Sequence, residues 1–509
     1  MERLRGMFAF ALFEATPHPR LLLARDRFGI KPVYYHQDAE RVIFASEVRA
    51  LLRSRMVPDE PNPEALIRFL QLGSVPVPTT TVRDVVALPA AHYLVVNADG
   101  PEVRRYWDLS AYSWQGSDRA PAVSSEEAAA TTRALLEESV RLHLVSDVPL
   151  GVFLSGGIDS SGLVALASQF RTAPVSTLSI AFEEPSYSEA SYARLVAKRY
   201  GTAHREVVLR AADLFDGMSR ISRAMDEPTV DGVNTYFVSE AAKRAGLTVV
   251  LSGTGGDELF FGYGHFRLAS ALGRMHRVLA AVPVQARRGL IQTAIRCGGV
   301  LGRPALHRLQ YLEHPSLDNA YLLVRGLFSP RQIQELLGID RVEFEAWGPA
   351  LPPVDEAAID GMLSTFGLLE FTHYLQNQLL KDTDVMSMAH SVETRVPYLD
   401  HRLVEYVMGI PPEVKLERRR PKPLLLEALG DALPSEVWNR PKMGFTFPFE
   451  LWMRQCADEL EALSLEQSML ERKAVAAVWR EFRAGHVHWS RVWAFIVLTF
   501  LMGRTKNAA

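Results

Sequence analysis

Apolar and polar positions alternate in short runs through the first hundred residues and in longer, helix-spaced runs after that. GMFAFALF (6–13), RLLLARD (20–26), VYYH (33–36) and RVIFAS (41–46) are separated by turn residues, and this spacing predicts an antiparallel sheet. VALPAAHYLVV (86–96) predicts a further pair of strand edges. Residues 111–125, AYSWQGSDRAPAVSS, are small, polar and proline-containing and read as a linker. From 126 the period changes. A helix (126–143), a strand (148–154), a helix (160–169), a strand (175–182), a helix (188–200), a strand (204–209), two helices and a strand (247–252) follow in turn. That alternation predicts a parallel sheet with helices on both faces, which binds its ligands beyond the carboxyl ends of the strands. Beyond about 265 the pattern is mainly helical. The longest strongly apolar run, Val492 to Met502, is too short to cross a bilayer and reads as a buried helix.

Length and composition narrow this picture. A chain of 509 residues exceeds one core, so two or three domains are expected. The formal net charge of -3 gives no global attraction for nucleic acid or for an anionic membrane. The two cysteines, Cys297 and Cys456, form no disulfide framework and no metal-ligand spacing, and each reads as a buried, inert thiol. A cytoplasmic setting is expected from this sparse cysteine usage, and residues 1–30 show no leader pattern.

The strongest local signal is GVFLSGGIDSS (151–161). An apolar strand pattern breaks into Ser155-Gly156-Gly157 and enters a helix pattern at Asp159 and Ser160. Glycines there let the backbone approach a ligand, and a helix start favours negative charge. The spacing is neither a Walker loop nor a dinucleotide fingerprint. SGG-x-DS is the spacing of the pyrophosphate loop in enzymes that split ATP into AMP and pyrophosphate. By itself it could also be an ordinary glycine turn.

LSGTGGDELFFGY (251–263) repeats the design at the end of the next strand. Asp257 is placed to share a hard cation with Asp159, since Mg²⁺ takes one or two carboxylates plus phosphate oxygens. Alone, such an acidic pair is as often a helix-dipole partner. In DVMSMAHSVETRVPYLDHRLVEYV (384–407), Glu393 beside Arg395 reads most simply as a structural ion pair. In RRRPKPLLLEAL (418–429), Lys422 and Arg418–Arg420 read locally as solvated side chains.

Taken together and in this order, these four motifs resemble the asparagine synthetase family, as do DEPTVDGVNTYFVSEAA (226–242) and RPKMGFTFPFELW (440–452). The resemblance covers nearly the whole chain. It implies an α/β chain: a partial N-terminal-nucleophile glutaminase β-sandwich over 1–110, the linker 111–125, and a doubly wound, parallel-sheet ATP-pyrophosphatase (PP-loop) domain over 126–509 with a mainly helical C-terminal part. The implied chemistry is ATP-dependent activation of a carboxylate as its acyl-adenylate, then amidation by ammonia. By position, Ser155, Gly156, Gly157, Asp159 and Ser160 would hold pyrophosphate. Leu154, Ile180, Ser252 and Gly253 would frame adenosine and the α-phosphate. Asp159 and Asp257 would hold Mg²⁺, Lys422 would stabilise charge at the reacting centre, and Glu393 would orient Lys422. The implied partners are small molecules (ATP, a carboxylate such as aspartate, and ammonia or glutamine), with no nucleic acid and no membrane; a homodimer is left open.

The chain departs from that family in two places. MERLRGMFAFALFE, ARDRFGIKPVYY and FASEVRALL resemble the distal part of the glutaminase domain, yet position 2 is Glu2, where the family's nucleophile would be a cysteine. The chain therefore reads as beginning midway through that domain. A start codon set too late is the preferred explanation, and a true truncation fed by free ammonia is the other. Glutaminase activity is not expected from these residues, and the remnant is expected to expose unpaired strand edges. Thr254 stands where asparagine formers often carry Glu and β-lactam formers carry Tyr. Thr offers no base near neutral pH, which argues against a β-lactam former and weakens the case for aspartate. Three readings follow: an asparagine-type amidotransferase, an amide ligase for another carboxylate and amine, and a non-catalytic relative. The intact loop, Asp257 and Lys422 speak against the third.

Overall fold

Twelve strands carry the architecture of the computed structural model, which describes all residues except 16, 115–122, 301–303, 349–350, 352–360, 418–419, 445 and 508–509. The N-terminal strands are β1 (Ala9–Glu14), β2 (Arg20–Arg25), β3 (Tyr34–Gln37), β4 (Val42–Ala45), β5 (Val85–Ala87), β6 (His92–Asn97) and β7 (Gly100–Arg105). They form two antiparallel sheets, ordered β1-β2-β6-β7 and β4-β3-β5. The VALPAAHYLVV stretch is thus shared between two sheets, with β5 in one and β6 in the other. As expected, an edge is left open. β1 is an edge strand, and its Leu12 and Phe13 are 59% and 66% exposed. Most of the linker, 115–122, lies outside the described residues.

The second sheet system is parallel. β8 (Leu150–Phe153), β9 (Ser176–Phe182), β10 (Ala203–Leu209), β11 (Val249–Leu251) and β12 (Glu393–Arg395) assemble in the order β10-β9-β8-β11-β12. β8, β9 and β11 are almost wholly buried, as strands covered on both faces must be, although β9 includes the polar Ser176, Thr177 and Ser179. The helices Ser125–His143, Ile158–Phe170, Ala190–Arg199, Ala211–Ala224 and Val233–Arg244 fall where the periodicity places them. β12 is not legible in the pattern. It is three residues long and sits in a stretch that otherwise reads as helical.

The small sheets dock on the large one through ion pairs and capped loops. Arg5 Nε lies 2.7 Å from Asp400 Oδ2, and Lys31 Nζ lies 2.8 Å from Asp384 Oδ1. The Asp226 carboxylate accepts from the amides of Val48 and Arg49 at 2.7 and 3.0 Å, closing the start of a helix across the junction. The C-terminal helix Trp489–Asn507 buries Val492 through Leu498, as its apolar run predicts. Among the described residues no helix is long and apolar enough to cross a membrane. Both cysteines depart from the expected buried thiol: Cys297 is exposed and Cys456 is half-buried. Cys297 lies on the outer side of a surface helix, where no packing demands a small apolar side chain.

One buried cation supports the floor of the parallel-sheet domain. Lys415 is 2% exposed, donates to Val407 O at 3.1 Å and lies 4.4 Å from the ring centroid of Phe261. Burial pushes its ammonium from 10.5 down to about 7. Between those values the unfolded chain holds a proton that the folded chain lacks, so this group makes stability rise with pH from about 7 to 10.5. Lys415→Met should remove that slope and raise stability at pH 7 by a few kcal/mol, since each tenfold loss of proton affinity is worth about 1.4 kcal/mol. Urea midpoints of both proteins at pH 7 and pH 10 check it. Parallel pH profiles would show that Lys415 stays charged inside.

Candidate functional site

β8 and β11 are adjacent in the sheet, so their carboxyl ends deliver the two glycine loops side by side. After β8 the chain runs through Leu154 to Gly157 and enters the helix Ile158–Phe170. Gly156 has φ +83°, and a Cβ there would lie 2.8 Å from Ala193 N, so only glycine lets the loop press on the next helix start. Ser155 Oγ lies 3.0 Å from Ser160 Oγ and accepts from Gly157 N at 3.3 Å, which fixes the loop. The first amide to bond back is Ser161 N on Gly157 O at 3.0 Å. The amides of Ile158, Asp159 and Ser160 are left without a helical partner, as an anion cradle requires.

After β11, Ser252-Gly253-Thr254-Gly255 leads into the short helix Gly256–Leu259. Here Gly255 turns the chain at φ +93°, and Gly253 and Gly256 serve close approach. A Cβ on Gly253 would lie 2.9 Å from Asp159 Cβ, and one on Gly256 would lie 2.5 Å from Asp159 Oδ1. A Cβ on Gly262 would overlap both Asp257 and Lys422. The chain has cleared this space for one charged cluster.

Lys422 is the centre of that cluster. Its Nζ donates to both Asp159 oxygens at 2.6 Å and lies 2.6 Å from Asp257 Oδ1. Far from being solvated, it is 4% exposed. It holds a left-handed backbone, φ +47°, just before the helix Pro423–Leu429, which turns its side chain inward. Lys442 Nζ lies 2.7 Å from the same Asp257 oxygen at the rim. Burial works against the charge on Lys422, but the two carboxylates outweigh it and raise its pKa. Burial would also raise Asp257, yet Lys422 and Lys442 hold it well below the usual carboxylate range. Asp159 is raised by burial despite Lys422, with Asp257 adding to the effect.

This donor set fits one hard divalent cation. Two carboxylates from neighbouring strand ends already converge on a single ammonium. Asp257 Oδ1 is buried with only charge contacts and no directional hydrogen bond. Among the described residues no cluster of three or more His, Cys, Asp or Glu could form a closed metal cage. Two carboxylates with room for phosphate oxygens is the arrangement Mg²⁺ accepts.

A cavity of about 930 Å³ opens over the cluster. Leu154, Ser155, Gly157, Asp159, Ser160, Ile180, Ser252, Gly253, Asp257 and Lys422, all expected from the sequence, line it. Gly156 is brought to the loop but faces the helix Ala190–Arg199 instead. Glu393 is a correction. It opens β12 opposite Val249, about 10 Å down the strand from Ser252 at some 3.3 Å per residue. Its carboxylate takes the Arg395 guanidinium at 2.7 Å and is 39% exposed. The structure does not bring it to Lys422, and its local reading as a structural ion pair is what the geometry shows. Arg418 and Arg419 lie outside the described residues.

Several site residues carry no sequence signal beyond motif membership. Arg440 pairs with Glu189, donates to Gly156 O at 3.1 Å and stacks 4.0 Å from the centroid of Tyr192, locking the pyrophosphate-type loop from outside. Arg325 binds both oxygens of the buried Glu370 at 2.8 and 2.6 Å, between the rings of Tyr263 and Tyr374. Glu370 opens a π-helical stretch, Glu370–Leu380, a form that often marks functional sites.

Two family models match the chain: asparagine synthase over residues 131–502, and a glutamine amidotransferase domain over residues 1–107. Asparagine synthetase (glutamine-hydrolyzing) 1 of Bacillus subtilis is 29% identical over 473 residues, 92% of this chain and 72% of that protein. A putative asparagine synthetase (glutamine-hydrolyzing) of Mycobacterium tuberculosis is 31% identical over 512 residues, 98% of this chain and 76% of that protein. Amidase chry2 of Gibberella zeae is 26% identical over 501 residues, 89% of this chain and 71% of that protein.

Removing the ammonium from between the carboxylates tests the geometry without any substrate. Lys422→Ala leaves two buried like charges and should cost about 3–5 kcal/mol of stability. Millimolar Mg²⁺ should restore more of the melting temperature of this variant than of the wild type. A variant whose melting ignores Mg²⁺ would show that the two carboxylates do not converge on one cation.

Proposed function

The chain belongs to the asparagine synthase family, and we propose that it activates a carboxylate with ATP, releasing pyrophosphate, and then forms an amide while releasing AMP. The observation that carries this reading is the Asp159–Lys422–Asp257 cluster at two glycine-bearing strand ends. The pyrophosphate of ATP sits on the free amides of Ile158, Asp159 and Ser160 and on the hydroxyls of Ser155 and Ser160. Leu154, Ile180, Ser252 and Gly253 frame the adenosine and α-phosphate. Asp159 and Asp257 would hold Mg²⁺, which would supply neutralisation of the charge on the leaving pyrophosphate. The Lys422 ammonium, in the same cluster, would face the α-phosphate. There it stabilises charge as the carboxylate oxygen bonds to phosphorus and pyrophosphate departs. The amine then adds to the acyl carbon, and AMP leaves with the former carboxylate oxygen.

Aspartate is the first candidate acceptor, through the names of the relatives. A second reading, another carboxylate and amine, is favoured by Thr254. Its hydroxyl lies 2.9 Å from Ser252 Oγ and puts no titratable group beside the reacting centre.

Assayed with ammonium as the nitrogen source, the protein should form AMP and pyrophosphate in equal amounts. Asp257→Ala should abolish pyrophosphate release. Lys422→Ala should lower kcat by about a hundredfold or more, with a much smaller change in ATP affinity. Production of ADP and phosphate would contradict the assignment of the loop.

A further inference from the structure

Charge is unevenly placed along this chain. Residues 259–312 carry eight arginines and neither a lysine nor an acidic residue, in a protein whose formal net charge is -3. Most of the stretch forms two helices, Phe266–Ala280 and Val284–Val300. Three of the arginines serve the fold. Arg287 is buried and donates to Leu279 O at 3.1 Å, Val282 O at 2.9 Å and Glu313 O at 3.0 Å, which closes the end of the first helix. Arg288 lies 3.6 Å from Glu313, and Arg308 donates to Val324 O at 3.2 Å. Arg303 lies outside the described residues. Arg267, Arg274, Arg277 and Arg296 are exposed, and none of the four pairs with a carboxylate among the described residues.

The packing of the first helix fixes which side faces out. Phe266 and Ala269 are fully buried in one core with Tyr321 and Phe366, and a Cβ on Gly273 would lie 3.1 Å from Met362 Cε. With that side inward, the helical repeat brings Arg267, Ala271, Arg274 and Val278 to the opposite side, flanked by Leu268 and Arg277. Leu268 is 56% exposed and Val278 66%. Aliphatic side chains in water forgo burial, and cations gathered without acids repel one another. An anionic bilayer answers both. Its headgroups attract basic side chains, and the boundary beneath them takes aliphatic ones, while the long arginine stems reach back to the phosphates. A nucleic acid would answer the arginines and leave Leu268 and Val278 in water.

We infer that the outer face of the helix Phe266–Ala280 is a docking surface for an anionic lipid bilayer. Arg267, Arg274 and Arg277 meet the headgroup phosphates, and Leu268 and Val278 enter the boundary below them. Docking of this kind lays a helix on the surface and needs no membrane-crossing segment. The attraction is local: it belongs to one face and not to the net charge of the chain. It stands apart from the chemistry of the cavity.

Flotation of the full chain with vesicles tests this, using phosphatidylcholine alone or mixed with phosphatidylglycerol. The protein should float with the mixed vesicles and not with phosphatidylcholine alone, and molar salt should weaken the binding. Arg267→Gln/Arg274→Gln/Arg277→Gln should lower the affinity about a hundredfold, since each basic side chain near an anionic surface contributes about fivefold. Leu268→Ser/Val278→Ser, which keeps every charge, should lower it about tenfold or more. All of these side chains are exposed, so each variant should melt with the wild type. Where a multiple variant melts lower, Arg274→Gln and Val278→Ser singly decide, each with an expected loss of severalfold. A wild type that ignores the mixed vesicles, or binds both kinds equally, overturns the inference. So does an arginine variant that floats like the wild type. A Leu268→Ser/Val278→Ser variant that floats like the wild type reduces the contact to bare charge, as a nucleic acid would meet it, and overturns the bilayer as the occupant.

Discussion

The ammonium of Lys422 between the carboxylates of Asp159 and Asp257 is the contact on which the active half of the molecule is organised. Each of its three groups is costly to bury alone, and one buried charge removed leaves the others uncompensated. The surroundings are shaped to that demand. Gly253, Gly256 and Gly262 have no Cβ because any Cβ would enter the space of the cluster. Lys422 accepts a left-handed backbone, rare for a long side chain, to reach inward from the start of its helix. Strain and glycine entropy are concentrated in one place, which is the mark of a site rather than of a core.

The parallel sheet makes that contact possible because it sets two strand ends next to each other. β8 and β11 pair in register, Gly151 against Val250, so the loops after them emerge at the same height. Asp159 and Asp257 each follow a strand by a few residues, and both open a helix. The sequence therefore shows where the two acids arise, since buried parallel strands are continuous apolar runs and the glycine loops are punctuation. It does not show Lys422, whose local surroundings of arginine and proline resemble a solvated edge. The burial of that lysine depends on carboxylates 263 residues away in one case, a separation that no window of local pattern spans.

The same logic explains where pattern and structure part. β12 is too short to display a period of two, and it is a strand only because β11 offers it an open edge. Glu393 belongs to that strand, and its position in the ladder, not its motif, decides what it can touch. Its partner is the arginine two residues on, on the same face of the pleat, and Glu393 itself sits at the end of the strand away from the cavity. A buried Cys297 is what the habit of its residue type suggests, whereas its exposure follows from where its helix lies. The exposed apolar side chains of β1 follow from the sheet order. An edge strand without a neighbour on one side keeps its side chains in water unless something else covers them.

The distribution of charge along the cavity gives the last step. At the strand ends two acids are balanced against two lysines, so no charge of that cluster is left bare. The helical half lines the rest of the cavity, with Arg308 donating to Val324 O at 3.2 Å and Arg325 held by Glu370. Arg308 and Arg325 join no recognisable motif, and their partners are set by the packing of distant elements rather than by local pattern. The glycine loops are therefore legible in the chain, whereas the rest of the cavity lining is not.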